Sequence, residues 1–160
     1  MLTGDVEEAL RIPGEGKLLI ITAGNTLRGD DGVGPYIGES VAINHPRLGI
    51  LNTGDRPEDA LSAAGEMNPS RCLVIDAAVF GGAPGEARML PEKLIPDKTL
   101  STHTFPLKIV TSLLRSDTGA DILFLGIQPE KVSFGEGLSA AVKKTADEII
   151  HFINSGERDA

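Results

Sequence analysis

Two neighbouring aspartates, a third aspartate and one histidine are the residues whose types and positions best suit chemistry. Asp30 and Asp31 lie in a glycine-rich stretch, Asp76 follows the apolar run 72–75, and His103 precedes a Phe-Pro pair. If Asp31, Asp76 and His103 meet in space, they offer a metal two carboxylates and one imidazole. Three protein ligands leave open positions, which is typical of a reactive metal site. Oxygen and imidazole ligands suit Zn²⁺, Ni²⁺ or Co²⁺, and the residue types do not choose among them.

Each of these residues also has a simpler interpretation. An aspartate at a helix start can cap the helix and interact favourably with its dipole, which is worth about 0.5 to 2 kcal/mol. Asp76 can bond nearby backbone N–H groups where a loop begins, and His103 can be a satisfied structural imidazole. An acid that ends a buried strand must nevertheless offset its desolvation, which favours a functional role for Asp76.

Several other kinds of site are absent or poorly supported in the sequence. The glycines around Asp30 and Asp31 miss the dinucleotide-binding spacing, there is no Walker lysine, and the two carboxylates would repel phosphate. No Gly-x-Ser-x-Gly or His-Glu-x-x-His motif occurs. Cys72 begins an apolar run and is expected to be a buried small hydrophobe rather than a nucleophile.

Length and charge narrow the class of protein further. The 160 residues suffice for one domain, and the net charge of -8 repels a nucleic acid backbone. The longest apolar stretch, Leu18 to Ile21, is far too short to insert into a membrane. One cysteine excludes an internal disulfide and is consistent with a reducing compartment. We therefore expect a cytoplasmic protein that does not bind nucleic acid and does not insert into a membrane.

Strand and helix patterns alternate along the chain. Apolar runs predict buried strands, and apolar residues at helical spacing predict the helices between them. The predicted strands are 17–22, 48–51, 72–75 and 122–127, with a possible edge strand at 86–90; the predicted helices begin near 31, 57, 106 and 138. This order favours an α/β three-layer sandwich, a mostly parallel central sheet with helices on both faces. We expect a single domain over 1–160, with a core over 17–153 and an N-terminal appendage over 1–16.

The predicted fold indicates where a ligand would bind. In open α/β sheets, ligands bind beyond the carboxyl ends of the strands, where the strand order reverses. If the order begins 2-1-3, the loops after the first and third predicted strands border that crevice. Asp31 and Asp76 belong to those two loops, so we expect the crevice to bring them together with His103.

Five segments together resemble the hydrogenase maturation proteases, the endopeptidases that trim the C-terminus of the [NiFe]-hydrogenase large subunit. They are Gly24-Asn25-Thr26-Leu27 with Asp30-Asp31-Gly32-Val33-Gly34, then Ile75-Asp76-Ala77, Pro84-Gly85-Glu86, Thr102-His103 and Leu125-Gly126-Ile127-Gln128-Pro129-Glu130. The resemblance extends from about Lys17 to Phe152. It implies that Asp31, Asp76 and His103 are both the metal-contacting and the catalytic residues, and that the metal is nickel already carried by the substrate.

The resemblance also implies a substrate, a hydrogenase large-subunit precursor, and a groove that holds it. The residues expected to contact this substrate are Gly24, Asn25, Asp30, Asn52 and Gly54. Where the family commonly has Asp-Gly-Gly after the second strand, this chain has Asn52-Thr53-Gly54-Asp55. Nickel could polarise the scissile carbonyl or activate water, or it could only position the tail while a carboxylate acts as general base.

Two other functions fit the same residues. The chain could be a nickel-sensing or metal-handling partner that binds the large subunit without cutting it. It could also be a peptidase of related fold that acts on an unrelated protein. A shortened product of the nickel-loaded precursor would exclude the first alternative, and co-purification with a hydrogenase large subunit would exclude the second.

Overall fold

The computed structural model describes residues 1–94 and 106–156. His103 lies outside these residues, so the prediction for it is not tested here. No helix among the residues described is both long enough and apolar enough to cross a membrane.

Five strands form one sheet in the order β2-β1-β3-β5-β4. Their bounds are β1 Leu18–Ala23, β2 Leu48–Gly54, β3 Arg71–Ala77, β4 Ala87–Leu90 and β5 Asp121–Ile127. All neighbours are parallel except β4, which pairs antiparallel with β5 at the edge. The predicted 2-1-3 order, the mostly parallel sheet and the edge strand are confirmed.

Helices cover both faces of this sheet. They are α1 Gly4–Leu10, α2 Val33–Ser40, α3 Ala60–Met67, α4 Leu107–Thr118 and α5 Ala140–Asn154. Residues of α1, α2 and α5 pack on one face with Leu18 and Ile20 of β1. Residues of α3 and α4 pack on the other face with Leu19 and Ile21. Strand β1 thus fills both apolar layers, which explains its continuous apolar run.

Helix α2 is shorter than the sequence pattern predicts. The spacing of Val33, Ile37 and Val41 extends the helix towards His45, but the helix ends at Ser40 and Val41 is extended. The next amide, that of Ala42, donates a hydrogen bond to Asn154 Oδ1 at 3.1 Å. A contact with α5 therefore replaces further helical turns.

The N-terminal residues differ from the expectation of an appendage outside the core. Val6, Ala9 and Leu10 of α1 are buried in the same apolar cluster as α2 and α5. Arg71 Nη1 donates to the carbonyl oxygens of Glu8 and Arg11, both at 3.0 Å, and so ties the end of α1 to β3. The apolar residues of α1 are spaced so that they form one buried face. The segment is short and is followed by Gly14 and Gly16, so this spacing is hard to recognise in the sequence.

Candidate active site

The carboxyl edge of the sheet brings Asp31 and Asp76 to one place. The register pairs Thr22 of β1 with Ile75 of β3, so Asp76 lies level with the end of β1. Asp31 lies in a 3₁₀ turn, Gly29–Gly32, that contacts β3. In the strand order, β2 lies on one side of β1, and β5 lies on the opposite side of β3. The chain therefore leaves β1 and β3 in opposite directions, and this edge contains the topological switch point.

Both carboxylates are shielded from solvent. Asp31 is 1% exposed and Asp76 is 0% exposed. The Ala77 N–H donates to Asp76 Oδ1 at 2.8 Å, which fixes that side chain against its own backbone. Two buried acids at a switch point carry a desolvation cost that a structural role alone explains poorly.

Asp30 plays a different role from its neighbour. Its Oδ2 accepts hydrogen bonds from the amides of Glu130 and Lys131, both at 2.9 Å. Ser139 donates its amide to Oδ1 at 2.7 Å and its hydroxyl to Oδ2 at 2.9 Å. Burial acts to raise the pKa of Asp30, but these hydrogen bonds outweigh it and hold the pKa below the usual value. The fully buried carboxylate faces the 130–139 loop, and its predicted contact with substrate has no support in this geometry.

Four of the five predicted substrate-contacting residues line one cleft. Gly24, Asn25, Asn52 and Gly54 border a volume of about 290 Å³ beyond the ends of β1 and β2. The Gly24 amide donates to the Gly54 carbonyl at 2.8 Å and closes the floor of this cleft. Gly24 has φ +146, and a Cβ atom there would clash with the Asp31 carbonyl oxygen. Glycine at this position therefore lets the cleft lie directly against the Asp31 turn.

The sequence profile of the hydrogenase maturation proteases matches residues 39–155. The chain belongs to the hydrogenase maturation protease family. Over 141 residues it is 30% identical to the hydrogenase 3 maturation protease of Escherichia coli K12. This alignment covers 87% of this chain and 90% of that protein. It is therefore an endopeptidase, a hydrolase that acts in hydrogenase maturation.

Solved structures of similar proteins have the same fold. The [NiFe] hydrogenase maturation protease HycI from Thermococcus kodakarensis aligns with a TM-score of 0.77 and 30% identity, covering 95% of this chain and 100% of that one. The endopeptidase HycI from Escherichia coli aligns with a TM-score of 0.75 and 30% identity, covering 86% and 89%. The predicted fold and family are both confirmed.

Asn52 marks a departure from the usual family sequence that the structure explains. Its Oδ1 accepts hydrogen bonds from Thr22 Oγ1 at 3.2 Å and from the Gly54 amide at 3.1 Å. Its Nδ2 donates to Glu39 Oε1 at 3.4 Å. An amide can accept and donate in this way, whereas an aspartate would place a second carboxylate against Glu39. The Asn52 amide thus joins β1, β2 and Glu39 without placing a second carboxylate against Glu39.

Gln128 is a positioning residue that sequence reasoning treated only as part of a motif. Its Oε1 accepts the amides of Phe80 at 2.9 Å and Gly82 at 3.2 Å. These bonds hold the loop that follows Asp76. The sequence does indicate this role, because an amide side chain directly after an apolar strand is a buried polar group that needs hydrogen-bond partners.

Within residues 1–94 and 106–156, no group of three or more His, Cys, Asp and Glu side chains is arranged to hold a metal ion. The predicted ligand set contains His103, which lies outside those ranges. Asp31, in a turn that contacts β3, and Asp76, in β3 itself, both lie at the carboxyl edge of the sheet, and their assignment as metal ligands remains a prediction.

Proposed function

We propose that this chain is a nickel-dependent endopeptidase that removes the C-terminal extension of a [NiFe]-hydrogenase large-subunit precursor. The observation that carries the proposal is the pair of buried carboxylates, Asp31 and Asp76, at the switch point beside a cleft. A relative of known structure is a [NiFe] hydrogenase maturation protease, which favours this substrate class. The single buried cysteine fits a reducing, cytoplasmic setting.

The nickel in this proposal belongs to the substrate. Asp31, Asp76 and His103 contact it when the precursor is bound, because carboxylate and imidazole groups are suitable nickel ligands. Bound nickel supplies Lewis acidity towards the scissile carbonyl. A precursor without nickel lacks this contact, so the same residues that cut also test whether the client is loaded.

The protein's own residues position the peptide and move a proton. Gly24, Asn25, Asn52 and Gly54 hold the extended segment in the cleft. One of the two carboxylates accepts a proton from the attacking water as its oxygen bonds to the carbonyl carbon, and the proton passes to the amine as the C–N bond breaks. The shielded surroundings strengthen the electrostatic part of this step.

The deciding experiment incubates purified precursor, loaded with nickel or free of it, with the wild-type protein and with Asp31→Asn, Asp76→Asn and His103→Ala. Intact mass measurement follows the precursor. We expect one shortened product only with nickel and wild-type protein, and a loss of rate of about 10³-fold or more in each variant. Asp121→Asn is the matched control, because this exposed aspartate begins β5 and so lies at the amino ends of the strands, opposite the candidate site.

Each contrary result has a definite meaning. Normal cleavage by Asp76→Asn overturns the assigned site. Nickel-dependent binding with no shortened product overturns the peptidase proposal in favour of a nickel-sensing partner. Equal cleavage of the nickel-free precursor shows that the reaction does not require nickel.

A further inference from the structure

Large apolar side chains are exposed on the loops around the candidate active site. Leu27 is 48% exposed and Phe134 is 87% exposed. Leu27 lies in the loop after β1, and Phe134 lies in the loop between β5 and α5. Both loops border the Asp31 turn, which bonds to each of them. Exposed apolar residues that cluster beside a site indicate a binding surface more strongly than scattered ones do.

Backbone hydrogen bonds join the two loops side by side. The Gly135 amide donates to the Leu27 carbonyl, and the Gly29 amide donates to the Gly135 carbonyl, both at 2.8 Å. These bonds form a parallel bridge between Arg28 and Gly135. In this register the residues that precede the bridge, Leu27 and Phe134, are neighbours. We call them the Leu27–Phe134 patch.

The loop that carries Phe134 is also fixed at both of its ends. Asp30 binds Lys131 on one side of Phe134 and Ser139 on the other. The phenyl ring is therefore presented to solvent by a backbone that hydrogen bonds at Lys131, Gly135 and Ser139 restrain. A preorganised aromatic side chain of this kind is typical of the residues that dominate binding energy in protein interfaces.

The patch is continuous with the substrate cleft, because Leu27 itself lines that cleft. A neighbouring depression shares Thr26 and Glu39 with the cleft and extends to Glu136. Glu39, Asp55 and Glu136 lie around the patch together with Arg28 and Lys131 of the same two loops, so charges of both signs surround it. Lys143, a cation in this depression, is paired with Asp147 at 2.9 Å. A matching partner surface would present an apolar contact to Leu27 and Phe134.

We propose that the Leu27–Phe134 patch docks the folded body of the large-subunit precursor and so aligns its tail with the cleft. The inference rests on the proposed function. It adds a contact away from the reacting atoms, which contributes to binding the client rather than to breaking the peptide bond.

The test compares Leu27→Ser, Phe134→Ser and the double variant with the wild-type protein on nickel-loaded precursor. Ile109→Ser is the control, because Ile109 is 47% exposed on α4, which covers the opposite face of the sheet. We expect Phe134→Ser, which lies outside the cleft, to raise KM about ten-fold or more with kcat within about two-fold of wild type, and the double variant to raise KM at least as much. Circular dichroism melting verifies that each variant is folded, and biolayer interferometry measures precursor binding independently of cleavage.

The outcomes separate this inference from the proposed function. A KM and a binding constant that match those of Ile109→Ser overturn the patch and leave the function standing. Weakened binding by Phe134→Ser, with no cleavage by the wild-type protein, supports the patch and overturns the function. No precursor binding by the wild-type protein overturns the patch. A wild-type dimer that Phe134→Ser dissociates in sedimentation assigns the patch to a second copy of this chain and overturns the inference.

Discussion

Two consecutive aspartates divide their tasks at this site because their side chains meet different surroundings. The Asp30 carboxylate binds four donors on the 130–139 loop. The Ser139 amide is at the N-terminus of α5, where a negative charge also interacts favourably with the helix dipole. Asp31 remains in the turn against β3. Asp30 thus fixes the turn that holds Asp31.

Replacement of Asp30 by alanine should destabilise the fold strongly. The change leaves three partly buried backbone amides without their carboxylate, and we expect a loss of about 3 kcal/mol or more in the free energy of unfolding. Urea unfolding at pH 7 measures it, with the exposed Asp121→Ala as control. A loss below about 1 kcal/mol would contradict the anchoring role.

Acid should remove the stabilisation that the Asp30 carboxylate gives to the folded protein. Because the pKa of Asp30 is lowered on folding, its stabilisation is complete above the ordinary value of 3.8 and is lost as the pH falls towards the folded-state pKa. The gap in unfolding free energy between wild type and Asp30→Ala should therefore narrow below about pH 4. A gap that stays constant from pH 7 to pH 3 would show that the charge does not matter.

Cys72 should be inert in the folded protein. Burial raises the pKa of its thiol to about 11, so almost no thiolate forms at pH 8. A thiol reagent should label it only as fast as the protein opens, and within seconds in concentrated urea. The neutral thiol contributes no pH dependence below the ordinary value of 9.0, and stability falls between that pH and about 11. Rapid labelling of native protein would contradict its buried position.

At the scale of elements, the contact between the end of β1 and the Asp31 turn depends on Gly24. Gly24→Ala would introduce a Cβ atom against the Asp31 carbonyl at a backbone angle that side chains rarely adopt. We expect a loss of at least about 2 kcal/mol in unfolding free energy and a displaced Asp31 turn. Chemical denaturation and the cleavage assay together measure both effects.

Gly65→Ala is the matched glycine substitution. Gly65 lies within α3, and an added Cβ meets no atom there. Alanine in a helix interior is favoured over glycine by about 1 kcal/mol, so this variant should be slightly more stable than wild type with unchanged cleavage. Equal behaviour of the two variants would show that Gly24 has no special place in the site.

The elements could be predicted from sequence where local pattern decides them. The buried strands follow from apolar runs such as Leu18 to Ile21, and the edge strand β4 follows from its alternation. The early end of α2 could not be predicted, because Asn154, which bonds the chain beyond it, is distant in sequence. The anchoring role of Asp30 could not be predicted from sequence for the same reason, because Glu130, Lys131 and Ser139 become its partners only in the folded chain.

At the scale of the whole molecule, α1 completes one of the two apolar layers. Leu10 is buried in the cluster that contains Leu18 and Ile149. We expect Leu10→Ala to lower the unfolding free energy by about 2 to 5 kcal/mol, since the cavity adds to the lost burial. Removal of residues 1–16 should cost more, because it uncovers that layer.

Glu8→Ala on the same helix is the control for this prediction. Glu8 is exposed and pairs with Arg11 at 3.4 Å, a surface contact worth less than about 1 kcal/mol. Thermal and urea unfolding distinguish the two variants. If Leu10→Ala and Glu8→Ala were equally stable, α1 would be an appendage as the sequence suggested.

Asp76 occupies the middle of the sheet, between β1 and β5. Hydrogen bonds on both sides make such a strand the last part of a protein to open. The carboxylate of Asp76 is therefore held in a fixed position. Under the proposed function, any movement needed to bring the scissile peptide bond to it falls to the tail of the client rather than to the enzyme.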